Sequence, residues 1–310
     1  MRSTSLRTNH HIHFSIKLMV LQVNLHAGVV GKMANHRKRR LKKILGCRKA
    51  IALPVTFMML FVSLLILITA TYYFSITRIT AKTLALKTSG VEQEMLSLEK
   101  TIKFVSWSPG AYEIHEFGDF GGTFKVSPTA NPLILNLTDN SSFYDVFYSS
   151  PVGKALYELA STEDVVEDVF LKGDNRAVVN QSSSTMTQLY TAQGAERYEL
   201  TLSYRPLASI TVTSSDGGQP VNSLRVYVIS LNASESVAKM GTFRLKTGCL
   251  DVASTLRTYN FTSPLAQLTV RANLASVVNE VSLPISSNAQ GAIVNLETIV
   301  CTVRIEDVGW

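Results

Sequence analysis

The sequence predicts a membrane-anchored α+β protein: one long N-terminal helix, transmembrane and then extended, followed by a mainly antiparallel β-sandwich ectodomain. Three observations predict it. Residues 51–76, IALPVTFMMLFVSLLILITATYYFSI, carry no charge and are apolar on every face. A helical seam of apolar residues continues past them to Val105. From residue 107 on, short runs rich in Val, Ile, Thr, Tyr and Phe alternate with turn signals, and no amphipathic helix intervenes.

A bilayer core of roughly 30 Å needs about 20 helical residues, so residues 51–76 suffice for a crossing with some tilt. Pro54 is expected in the first turn, where its missing N–H has no helical partner to lose. Tyr72, Tyr73 and Phe74 place amphipathic rings at the far headgroup boundary. On the near side Arg37, Lys38, Arg39, Arg40, Lys42, Lys43, Arg48 and Lys49 fall within thirteen residues, and no acid precedes Glu92. The positive-inside rule then keeps residues 1–50 in the cytoplasm, with membrane lipid as the first partner, and sends the C-terminal domain outside.

The formal net charge of +7 belongs to that leader. Residues 1–50 hold 12 Lys and Arg and no acid, whereas the chain beyond Ile76 holds 18 Lys and Arg against 23 Asp and Glu. The outer part is mildly acidic and has no basic surface for a phosphate backbone, which excludes nucleic acid as a partner. Residues 1–32 show no helical or strand period and hold four of the six His. They read as an unstructured arm, or as upstream sequence if Met33 is the start.

Lys49-Ala50-Ile51-Ala52 resembles the cleavage motif of archaeal class III signal peptides: a charged residue, a small residue, then a retained hydrophobic helix. Leu53-Pro54-Val55 is similar to the Ser-Pro-Val that opens many archaeal pilin helices, while Val55 stands where bacterial pilins usually carry Glu. The resemblance covers about 30 of 310 residues. It implies a type IV pilin-like protein, cut after Ala50 by a prepilin peptidase, whose partners are identical or related subunits.

Residues 77–106 read as a helical stalk. Leu84, Val91, Met95, Leu98, Ile102 and Val105 recur at steps of seven, four, three, four and three, the seam of a helix packed on another element. Ser89-Gly90-Val91-Glu92 has the form of a capping box and predicts a kink or restart. Trp107-Ser108-Pro109-Gly110 ends the helix. Beyond it lie runs such as GTFKVS, PLILNLT, YELTLSY, LRVYVISL and AQLTVRAN, with Val152 to Leu159 left open between a helical turn and a strand. Residues 107–310 form the extracytoplasmic domain, with 183–310 regular enough in rhythm to be a second sandwich.

Candidate sites are few. Cys249 and Cys301 sit in strand-like runs on the oxidising side of the membrane, and their spacing leaves a disulfide or two buried thiols equally open. Asn136, Asn140, Asn180, Asn232 and Asn260 each open an Asn-x-Ser/Thr sequon. Glu113 and His115 share a strand face, but two ligands at that spacing are more often a polar surface than a metal site. Glu163, Asp164, Glu167 and Asp168 are acidic without the spacing of a calcium loop. No nucleophile elbow, His-Glu-x-x-His, P-loop or dinucleotide fingerprint occurs, so the expectation is a non-enzymatic protein without a cofactor. The leading expectation is a pilin-like subunit of an archaeal surface structure. The alternative is an uncleaved, single-pass anchored receptor or adhesion domain.

Overall fold

The computed structural model describes residues 45–160, 169–182, 185–194, 197–213 and 218–309. The acidic run 163–168 and the arm 1–32 lie outside the described residues, as do Arg37 to Lys43. The chain divides into two units, Met1–Arg78 and Ile79–Trp310.

One helix, α1 (Leu45–Val105), spans the division. Ala, Leu, Arg and Lys between Leu45 and Leu53 are strong helix formers, and they carry the helix upstream of the expected start. Pro54 therefore lies inside α1 rather than in its first turn. Its missing N–H leaves the Ala50 carbonyl without the usual donor four residues on. α1 is long and apolar enough to cross a membrane, and the side chains of its apolar stretch are exposed, Phe57 to Phe74 included. Ser63, Thr69 and Thr71 donate their hydroxyls to the carbonyls of Leu60, Leu65 and Leu67, so polar groups in that stretch are satisfied within the helix.

The expected restart at Ser89-Gly90 is absent, because Gly90 serves close packing. A Cβ built on Gly90 would stand 2.3 Å from Cε1 of Phe120, and the helix runs on without interruption. Gly90→Ala is expected to destabilise the second unit by about 1–3 kcal/mol as Phe120 is forced aside. That exceeds the roughly 1 kcal/mol that alanine returns in helix propensity. A variant melting above the parent would contradict this packing.

The second unit is mostly β. Sixteen strands among the described residues make three sheets, and we number the strands in chain order. The first sheet runs β1 (Tyr112–Phe117), β13 (Phe243–Phe261), β16 (Ala292–Asp307), β11 (Val221–Ser230), β10 (Leu207–Thr213), β7 (Val179–Asn180). The second runs β12 (Val237–Met240), β2 (Thr123–Ser127), β5 (Lys154–Ala160), β9 (Arg197–Tyr204), β8 (Thr187–Gly194), β6 (Val169–Lys172). The third runs β15 (Val277–Pro284), β14 (Gln267–Leu274), β3 (Pro132–Thr138), β4 (Tyr144–Pro151). Pairing is antiparallel except for β11 with β16 and β7 with β10, which make the first sheet mixed. Of residues 152–159 the first two are loop and the rest are strand β5, so the strand alternative holds. Strands from either side of residue 183 interleave in the second and third sheets, so 183–310 is no separate sandwich.

Two cores share the first sheet. In one, Val91, Met95, Leu98, Ile102 and Val105 of α1 pack against Phe124, Tyr157, Leu189 and Leu202 of the second sheet and Leu245, Cys301, Val303 and Ile305 of the first. In the other, Leu224, Val226, Val294 and Leu296 of the first sheet meet Leu135, Leu137, Leu268 and Val270 of the third. Odd residues of β16 serve the first core and even ones the second, so opposite faces of one sheet are buried at different points along its strands. β13 follows β16 through both regions. Its register slips at Leu250, between the pairs Cys249 with Val303 and Asp251 with Thr302, and the slip exchanges which residues face each core.

Candidate functional site: the helix–head junction and the cysteine pair

α1 carries three acids, Glu92, Glu94 and Glu99, and each grips a different strand of the head. The Tyr198 hydroxyl of β9 donates to Glu92 Oε1 at 3.0 Å. His115 Nε2 of β1 stands 2.8 Å from Glu94 Oε2. Glu99 is buried and receives Lys172 Nζ of β6 and the Thr187 hydroxyl of β8, both at 2.6 Å, with Lys103 Nζ at 3.2 Å. His115 therefore serves the helix contact, while Glu113 stays exposed on the same strand. Among the described residues no group of three His, Cys, Asp or Glu converges on a metal position.

Burial alone would raise the Glu99 carboxyl, but the bonds from Lys172 and Thr187 and the charges of Lys103 and Lys172 bring it below its ordinary 4.5. A depressed folded value means the ionised form stabilises the head above about 4.5, and that contribution is lost as pH falls through the lower folded value. Glu99→Gln is expected to cost about 1–3 kcal/mol at neutral pH, since Lys172 keeps its position and loses its charge partner. The gap between variant and parent urea midpoints should close in acid. A gap unchanged by pH would contradict an ionised Glu99.

Cys249 and Cys301 are buried thiols whose sulfurs lie 3.6 Å apart on the paired strands β13 and β16, where Cys249 faces Val303 and Cys301 faces Val252. The Trp107 N–H, just past the end of α1, donates to Cys301 Sγ at 3.4 Å. Burial pushes the Cys301 thiol up, against the pull of that N–H. A disulfide needs an approach to about 2.05 Å, a small motion for adjacent strands. Protein held in an oxidising buffer without reductant should yield a linked 249–301 peptide pair, and recovery of both peptides singly alkylated would contradict it.

The sequons fall in different environments. Asn140, Asn232 and Asn260 are exposed. Asn140 sits in the β3–β4 loop, where the Asp139 carboxylate takes the amides of Ser141, Ser142 and Phe143. Asn180 is half-buried in β7. Asn136 is the correction: it is buried, and its Nδ2, the atom a glycan would occupy, donates to Tyr144 Oη at 3.2 Å. The folded head does not present that nitrogen to a glycosylating enzyme.

Lys49, Ala50 and Ile51 lie within α1, and their shared feature is backbone: the Ala50 carbonyl freed by Pro54 belongs to the Ala50–Ile51 peptide bond. A shallow cleft of about 170 Å³ between Asn131, Phe170, Gln188 and Leu274 offers no comparable chemistry. The Gln188 amide is spent on the carbonyls of Asp174 and Arg176, and the Ser203 hydroxyl on Gln188. Sequence reasoning found the cysteines and the seam but missed the three acids as a set. Their confinement to the last fourteen residues of α1 was the available signal.

No family model, curated protein or solved structure matches this chain.

Proposed function

We propose that this chain is a pilin-like subunit of an archaeal cell-surface structure, structural or adhesive and non-enzymatic, with its N-terminus cytoplasmic and its head outside. One observation carries the reading. A single helix is apolar and exposed from Pro54 to Ile76, and from Val91 to Val105 it buries one face, locked by three carboxylates, in a β-rich head. Such a helix joins an apolar segment to a head whose core it helps to form. In a pilin-like subunit, loss of the basic leader frees an all-apolar helix to exchange acyl-chain contacts for contacts with like helices, at little cost in burial.

The alternative, an uncleaved anchored receptor or adhesion domain, is favoured by one specific feature. α1 reaches back to Leu45, so the bond after Ala50 is helical, and a peptidase must first unwind it. Pro54 works in the other direction, since the carbonyl of that bond has already lost its helical partner. The N-terminus of the native protein distinguishes the two.

A further inference from the structure

We propose that the outer edge of β13 from Asp251 to Phe261 pairs with the same edge of a second copy of this chain, the two strands running antiparallel about Leu256. β1 covers β13 only from Phe243 to Gly248, and Gly110 and Ala111 extend the cover to Cys249. Beyond that point no strand among the described residues pairs on this side, although β16 holds the other side to Phe261. Eleven residues at about 3.4 Å each leave an open edge of roughly 35 Å.

The other open edges are shorter or blunted: β1 has six residues and carries Glu113 and Glu116, and β10 is open beyond β7 only from Ser209 to Thr213. β7 has two residues, and β6 and β12 have four each. β4 is irregular opposite Leu135–Asn136 and ends at Pro151, while β15 carries Glu280 and ends at Pro284. Such features protect edges from pairing with another chain. The open stretch of β13, DVASTLRTYNF, has no Pro, Lys or Gly. Its Arg257 is held by Asp145 at 2.7 Å, and Tyr259 Oη donates to the same carboxylate at 2.5 Å, so both side chains are drawn over a face and away from the edge.

An open strand edge calls for an extended strand, which supplies main-chain partners to every outward N–H and C=O. The length and symmetry of this one select a second copy. Antiparallel self-pairing sets all of 251–261 against its equivalent in one register, with Leu256 opposite Leu256. Centring on Ser254 instead would drive the second copy's Tyr259 to Phe261 into Gly110 and Ala111. In the Leu256 register Ser254 faces Thr258, Val252 faces Asn260, and Arg257 faces Thr255, so no like charges meet. Leu256, 65% exposed, is covered by its equivalent. The pairing does not depend on whether the leader is removed.

The test is cysteine cross-linking of the full chain in native membranes, in a Cys47→Ser background. Directly opposite residues have Cβ atoms about 4.5–5.5 Å apart, within reach of a disulfide. Leu256→Cys should give a linked dimer on mild oxidation. Ser254→Cys co-expressed with Thr258→Cys should give a linked heterodimer, and Thr258→Cys alone should stay monomeric. All three positions are exposed, and a parent-like thermal melt verifies each folded head. Loss of the Leu256→Cys dimer, equal linkage from Thr258→Cys alone, or capture of a different protein's strand at this edge would each overturn the proposal.

Discussion

Ile102→Asp is expected to unfold the β-head, whereas Phe104→Asp, two residues further along the same helix, leaves it folded. Ile102 is 0% exposed and sits where α1 meets both the first and second sheets; Phe104 is 75% exposed. Truncating a buried Ile to Ala costs about 2–5 kcal/mol. A buried carboxylate adds several more for its lost hydration, with no partner to offset it. Set against a typical domain stability of about 5–15 kcal/mol, the sum removes the folded state, while an exposed change stays within roughly 0.5 kcal/mol. Circular dichroism melts and limited proteolysis of the two variants check this. Equal melts would mean that α1 is an anchor beside the head and not part of its core.

The contrast between Ile102 and Phe104 was legible in the sequence, because a helix packed on one side records its neighbour as a 3.6-residue period. The apolar run 51–76 and most strands were legible for the same reason: each pattern is local. What was not legible depends on a distant partner. Ser89-Gly90-Val91-Glu92 has the composition of a cap, yet Gly90 answers to Phe120 and Glu92 to Tyr198. The parallel β11–β16 pair joins segments some seventy residues apart, and nothing in either strand specifies direction. The slip at Leu250 reads as one more residue in an alternating run, although it moves every later side chain of β13 to the other face. At the candidate sites, strand texture located Cys249 and Cys301, but only the fold brings the sulfurs to 3.6 Å. Asn136 likewise alternates with the core residues Leu135 and Leu137 and reads as an outward position, and only the folded hairpin brings the Tyr144 hydroxyl onto its Nδ2.

The second large effect is all-or-none and concerns the leader. If the bond after Ala50 is cut, the mature chain begins at Ile51 and loses the eight clustered charges between Arg37 and Lys49. In the pilin-like account those charges hold the helix in the membrane until the cut, because drawing them through a bilayer is prohibitive. Without them the helix is free to leave lipid sideways. Lys49→Leu with Ala50→Leu should abolish the cut and leave a chain that stays membrane-bound with a folded head, since neither residue belongs to the second unit. Pro54→Ala should slow the cut, because it restores a helical donor to the Ala50 carbonyl. The direct measurement is the intact mass and N-terminal peptide of the protein purified from its native membrane. A chain beginning at Ile51 is the predicted result; a chain that still carries Arg37 to Lys49 would contradict the pilin-like account and leave a permanently anchored surface domain.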